Sequence, residues 1–249
     1  MALKISATVP ALNSERHIRS CLESLKDFDE VILLDTGSTD STLAIAAEFP
    51  NVKVFHDTFK GFGPTKNQAA GLARNDWVMN VDSDEEVTPQ LLEEISSLAL
   101  RDDRVYSMPR ENHYRGRLVK GCGWYPNRQK RLYNRRLVRF NEHLGHDILL
   151  VPDHVKIVSL KGAIKHYSFD GAADLLDKMQ RFSQLFARDN KGKRKSSPMT
   201  AIAHALWSFF KHYILQRGFL NGYPGFIISV SNANGVFYKY IKLYEEGLK

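Results

Sequence analysis

The feature that most narrows the folds open to this chain is a repeated alternation in its first hundred residues. Short apolar runs at residues 5–9, 31–34, 52–55 and 77–81 alternate with helix-period segments at 14–25, 39–49, 65–72 and 89–98. The run at 31–34 is apolar without a break, as suits a strand buried on both faces of a parallel sheet. Ser38 and Thr39 are candidate caps for the second helix. Succession of the β-α-β-α kind predicts an α/β chain with a doubly wound, mostly parallel sheet flanked by helices. Ligands of such a sheet bind beyond the carboxyl ends of its strands.

After residue 98 the pattern changes to short segments rich in Arg, Tyr and Gly, read as strands and loops over the ligand edge of the sheet. An amphipathic helix at 171–188 aligns Leu175, Met179, Phe182 and Phe186, and the polar stretch 190–198 reads as a linker. Two further helical patterns follow residue 200, broken around 217–224. Only two cysteines occur, Cys21 and Cys122, which fits a reducing compartment better than a disulfide framework or a zinc site. The N-terminus has no apolar segment of signal-peptide kind, and no apolar run has spanning length, so any membrane contact is expected to be peripheral. The net charge of +7 is uneven: residues 110–139 carry ten Lys or Arg against one acid, Glu111. That excess predicts an anionic partner, whether phosphate-bearing substrate, lipid headgroup or nucleic acid.

Asp82-Ser83-Asp84 stands directly after the apolar run WVMNV. Residues two apart in an extended segment point the same way, so both carboxylates can face one hard cation such as Mg²⁺ or Mn²⁺. Such an ion would bridge to phosphate oxygens and stabilise a diphosphate leaving group. The bland alternative is a solvated capping cluster, favoured by Glu85 and Glu86 ahead of a helix. Haloacid-type phosphatases also use Asp-x-Asp, but with Thr or Val two positions after the second Asp, where this chain has Glu86.

Order along the chain adds more. VPALNSE follows the first strand, LLDTGSTDST ends the second, GPTKNQAA opens the third helix, and VDSDEEV follows the fourth strand. All four fall on one edge of the sheet. This series resembles the family 2 glycosyltransferases of GT-A fold. The resemblance implies that Pro10, Asn13, Glu15, Asp35, Asp40, Lys66 and Asp82 bind a nucleotide sugar, with Asp35 on the uracil and Lys66 near the phosphates or sugar. It also implies that Asp84, with His166, holds a divalent metal. A second segment, GWYPNRQKRLY at residues 123–133, resembles the lipopolysaccharide-core glucosyltransferases of that family, with Asn127 in place of their Asp. By that likeness Trp124, Arg128, Gln129 and Arg131 would meet the diphosphate or an anionic acceptor, although Trp124 could equally be a core residue. The stretch LGHDILLVPDHVKIVSLKGAIKHYSF is similar to the family's later His-Glu and His motifs. In an inverting transfer a carboxylate takes the proton of the attacking hydroxyl. Asp147 is the candidate base, one methylene shorter than the family's Glu, and Glu142 is the substitute.

The last 51 residues hold eleven of the 27 aromatics. Ile202, Leu206, Phe209, Phe210, Tyr213 and Arg217 fall on one helical stripe, as in an interfacial helix or one packed on a core. The expected organisation is a GT-A catalytic domain over 1–170 and a helical region over 171–249, membrane-interfacial or packed on the core. The implied reaction is metal-dependent inverting transfer, with glucose from UDP-glucose the favoured donor sugar and a heptose of the lipopolysaccharide inner core the acceptor. The enzyme would be cytoplasmic, peripheral at the inner face of the bacterial cytoplasmic membrane. The rival readings are a related transferase acting on capsule, O-antigen or another glycolipid, and a non-catalytic protein binding nucleic acid or anionic lipid. Nucleic acid is not expected as a partner, because that reading leaves the ordered acidic motifs unexplained.

Overall fold

In the computed structural model, which describes residues 3–142 and 147–248, the expected alternation is present. The first half runs β1 (Leu3–Ala11), α1 (Ile18–Ser24), β2 (Phe28–Asp35), α2 (Thr42–Ala46), β3 (Val52–His56), α3 (Phe62–Gly71), β4 (Trp77–Asn80), β5 (Glu85–Val87) and α4 (Pro89–Ser96). Strands then dominate: β6 (Arg104–Tyr114), β7 (Arg117–Leu118), β8 (Arg128–Asn134), β9 (Arg139–Phe140), β10 (Leu149–Leu150), β11 (Lys156–Ser159) and β12 (Ile164–Phe169). The helices α5 (Ala172–Asn190), α6 (Pro198–Phe210) and α7 (Gly222–Leu248) close the chain. Two compact units result, one of Met1–Arg110 with Asn127–His166, the other of Glu111–Pro126 with Tyr167–Lys249.

The main sheet has the strand order β3-β2-β1-β4-β8-β6-β12-β5. Its first four strands are parallel: β1 pairs with β2 and β4, and β2 with β3. β8 is antiparallel to β4 and to β6, and β5 is antiparallel to β12. Alternating side chains serve the two faces. Val31, Leu33 and Met79 join a cluster with Ile18, Leu22, Leu91 and Ile95, from α1 and α4. Ile32 and Val78 join another with Ala70 of α3, Tyr133 and Phe140. Burial on both faces explains why β2 is apolar at successive positions, since each buried aliphatic side chain contributes roughly 1.5–3 kcal/mol.

Three elements differ from the sequence reading for physical reasons. The second helix begins at Thr42 instead of residue 39, because the backbone N–H groups of Gly37, Ser38, Thr39, Ser41 and Thr42 are bound by side chains of Asp35, Asn13, Glu15 and Asp40. A backbone held that way forms a loop. The first helix likewise begins at Ile18, since the N–H groups of Ser14 and Glu15 donate to Thr42 Oγ1 and Asp40. Glu85 and Glu86 do not cap a helix: they lie in β5, and Thr88 caps α4 by accepting from the Leu91 N–H.

In the second unit β7 pairs with the end of β6, and a small core gathers Tyr114, Val119, Cys122, Phe169, Leu175 and Ile228. The linker-like residues 190–198 separate α5 from α6. A π-helical turn (Lys211–Leu215) and a 3-10 turn (Gly218–Asn221) make the corner between α6 and α7, with Arg217 in the left-handed region at φ 54°. Gly225 lies so close to the Gly218 carbonyl that any Cβ there would collide with it. No helix among the described residues is long and apolar enough to cross a membrane.

Met79 is fully buried in the strand that leads to Asp82. Met79→Ala is expected to lower stability by about 2–5 kcal/mol in urea unfolding, since it opens a cavity between the sheet and its helices.

Candidate active site

The carboxyl ends of β1, β2 and β4 bring the first motifs together within the first unit. The loops after β1 and β2 are laced to each other by reciprocal bonds. Asn13, at φ 47°, donates its N–H to Ser38 Oγ (2.9 Å), and its side-chain oxygen accepts from Thr39 N (2.8 Å). Asp40 accepts from Glu15 N (3.0 Å), and Glu15 accepts from Ser41 N (3.1 Å). Pro10 lies in β1 opposite Leu34. Asp35, buried at the end of β2, accepts from the N–H groups of Gly37 and Ser38 (both 3.1 Å) and lies 3.3 Å from His56 Nδ1. Burial works to raise its pKa, but these donors outweigh that and hold the carboxyl below its ordinary value.

The Asp-x-Asp segment continues from β4 into a set of buried charges. Asp82 Oδ2 accepts from Arg131 (2.6 Å), a guanidinium only 3% exposed that also reaches Glu85 (2.6 Å) and Asn80 (2.8 Å). Glu85 in turn accepts from the Asp82 backbone N–H (3.0 Å). Lys66, 4% exposed in α3, bridges Asp82 Oδ1 (2.8 Å) and Asp147 Oδ2 (2.6 Å). Burial works to raise the Asp82 pKa, but Arg131 and Lys66 overcome it and hold the carboxyl well below the usual carboxylate range. Beneath this segment the Cys21 thiol, pushed up by burial and the nearby carboxylates, faces the Asp82 carbonyl at 3.7 Å. Ser83 shares a 2.8 Å hydroxyl contact with Ser14.

Asp84 and His166 also meet: Oδ2 and Nε2 are 3.2 Å apart, next to the pairing of β5 with β12. An oxygen and an imidazole nitrogen together suit Mn²⁺, and Mg²⁺ through the carboxylate. No cluster of three or more His, Cys, Asp or Glu placed to hold an ion occurs among the described residues. Two side chains alone could hold an ion only if other oxygens, from phosphate or water, supplied the rest of its shell.

The residues of the basic stretch have other partners than the sequence suggests. Arg131 is spent on carboxylates of its own chain, and Arg128 donates to the carbonyls of Ser107 and Leu160. Gln129 donates to Asn127, Arg135 to the carbonyls of Ala70 and Gly71, and Arg136 to Asp76. Arg110 stands 3.6 Å from Glu85. Five of the ten cations thus have acceptors within the first unit, while Arg115, Arg117, Lys120 and Arg139 remain exposed. Trp124 packs face to face on Phe169 (5.6 Å) at the margin of the second unit's core. Glu142 is exposed and lines a cavity of about 390 Å³ with Asn67, Tyr133, Arg135, Arg136 and Arg139, so Asp147 is the acid that meets Lys66. His146, the neighbour of Asp147 in its motif, lies outside the described residues. Glu85 was missed as a site residue. Its signal is the alternation of buried Glu85 and Val87 about half-buried Glu86, a strand pattern that the acidic run conceals.

The Glycosyl transferase family 2 profile matches residues 6–148. A glycosyltransferase of Rickettsia conorii, itself uncharacterized, is 31% identical over 99% of this chain and 92% of its own length. The lipopolysaccharide core biosynthesis glycosyltransferase LpsC of Rhizobium meliloti is 24% identical over 98% and 93%. Among solved structures, S. aureus TarS 1–349 in complex with UDP-GlcNAc aligns with 98% of this chain and 89% of its own, at 18% identity and a TM-score of 0.49.

Removing Arg131 leaves Asp82 and Glu85 without their shared cation. Arg131→Met is expected to destabilise the fold by about 3–5 kcal/mol in denaturant titration. A carboxyl depressed in the folded state stabilises above its unfolded pKa of about 4, and the contribution is lost as pH falls through the folded value. The variant should therefore unfold at a higher pH than the parent protein during acid titration.

Proposed function

The chain belongs to Glycosyl transferase family 2, and we propose that it is an inverting hexosyltransferase moving glucose from UDP-glucose to a heptose of the lipopolysaccharide inner core. The observation that carries this reading is the Lys66 bridge. One ammonium joins Asp82, from the nucleotide half of the sheet, to Asp147, the candidate base from the later motif. In this reading donor and acceptor chemistry meet at that ammonium.

In this reading the laced loops after β1 and β2 hold the nucleoside. Pro10, Asn13, Glu15 and Asp40 shape its pocket, and the Asp35 carboxylate is the acceptor for the uracil N–H. Asp82 meets the ribose, and Lys66 the donor's diphosphate. As those phosphates draw the ammonium toward themselves, Asp147 loses its partner and accepts the proton of the attacking hydroxyl, on the face opposite the nucleotide. Glu142 is the substitute base. Asp84 and His166 would hold Mg²⁺ or Mn²⁺, which neutralises charge on the departing diphosphate. Arg128, Gln129 and Trp124 would flank the acceptor side.

The acceptor rests on the GWYPNRQKRLY segment and is supported by the likeness to LpsC along nearly the whole chain. The UDP-sugar donor is supported by family membership, and glucose by the segment alone. A lipid-borne acceptor puts the enzyme at the inner face of the cytoplasmic membrane, bound peripherally by the region 171–249.

Purified protein with Mn²⁺ or Mg²⁺ should release UDP from UDP-glucose only when a truncated lipopolysaccharide-core acceptor is present. Asp147→Asn should lower kcat by roughly 10²–10⁴-fold while calorimetric UDP binding persists. Asp84→Ala should lower turnover and weaken the metal dependence of UDP binding. A different donor with the same acceptor would replace glucose only. Full turnover in Asp147→Asn would remove that residue from the base role.

A further inference from the structure

The second unit carries an apolar surface that its own packing does not use. Met199, Ile202, Leu206, Phe210 and Ile214 recur at three- and four-residue spacing and are all exposed, forming one stripe along α6 and the π-helical turn. Leu206 is 67% exposed, and Trp207 beside it 56%. The stripe continues into the corner between α6 and α7, where Leu215, Phe219 and Leu220 project, Leu220 again 67% exposed. The hairpin is held from its other side: Phe209 stacks on Tyr213 (5.2 Å), and both meet Phe226 edge-on. Packing thus divides the aromatic-rich segment into rings that build the hairpin and apolar side chains left on its surface.

Charge identifies what covers them. From residue 190 to 244 there are eight Lys or Arg and no Asp or Glu. A second copy of the chain would bring the same excess of positive charge to the contact. A nucleic acid would leave the stripe of aliphatic side chains wet. An anionic bilayer answers both features, because headgroups meet the cations while the side chains enter the acyl boundary.

We propose that the Met199–Ile214 stripe together with the Leu215–Leu220 corner is a docking face for an anionic lipid surface, entered to interfacial depth. The inference rests on the proposed reading for its purpose, a lipid-borne acceptor, but its test does not use the reaction. Full-length protein, without donor, is floated with phosphatidylcholine vesicles and with vesicles that also contain phosphatidylglycerol. Flotation is expected with the anionic vesicles, falling as salt rises, and little with phosphatidylcholine alone. Leu206→Glu combined with Leu220→Glu should reduce it by about tenfold or more, with helix content and melting temperature unchanged because both side chains are exposed. A second variant, Lys193→Glu with Lys195→Glu, should weaken binding and flatten the salt dependence. Absence of flotation with anionic vesicles would overturn the proposal, as would flotation indifferent to the Glu pair at 206 and 220. A concentration-dependent dimer that the same pair dissociates would assign the face to a second copy instead. UDP release with a soluble acceptor fragment, measured alongside, tells failure of the docking face from failure of the transferase reading.

Discussion

The buried guanidinium of Arg131 is the interaction on which the centre of the first unit depends. A charge removed from water costs several kcal/mol, and geometry must return it. Here three acceptors do so, each from a different place: Asn80 at the end of β4, Asp82 just beyond it and Glu85 in β5. β8, which carries Arg131, is antiparallel to β4, so the register of that pair decides whether guanidinium and Asp-x-Asp segment coincide. A slip of one residue would turn Arg131 to the other face and leave buried Glu85 and half-buried Asp82 without their shared cation. Lys66 then completes the balance from α3, and through Asp147 it extends the same charge set to the later motif.

Preorganisation of the nucleotide side follows a different rule, with neutral and anionic acceptors binding backbone N–H groups. Asp35, Asn13, Glu15 and Asp40 shorten two helices to do this. Helix propensity yields locally because every freed N–H finds a side chain, and a loop whose donors are satisfied is not a defect. The result is a pair of loops that hold one another in place before any ligand arrives, which lowers the ordering that binding must supply.

Much of this was legible in the residues. Short apolar runs placed the parallel strands to within a few positions, and the motif order put Asp35, Lys66 and Asp82 on one edge. What escaped the reading depended on partners distant in sequence. Nothing near residues 39–41 announces that Asn13 and Glu15, some 25 positions earlier, will take their donors. Glu85 looked like a capping acid because its strand is three residues long and paired with β12, about 80 residues downstream. Arg131 looked like a phosphate ligand because a sequence shows charge but not burial. Only the antiparallel return of β8 places that cation under the carboxylates.

The two basic populations of the chain separate on the same argument. Between 110 and 139, carbonyls and carboxylates of the first unit are within reach, and Arg128, Arg131, Arg135 and Arg136 find partners there. Arginine suits that duty, since its planar fork meets several acceptors at once. Between 190 and 244 the helices satisfy their own carbonyls, and the segment contains no acid to draw a cation inward. Lys191 does find Glu246 and Lys242 finds Gln180, but both partners lie outside that segment. The two populations of positive charge therefore have different consequences: part of the first is tied to acceptors that build the fold, and most of the second is left to act on whatever negative surface the protein meets.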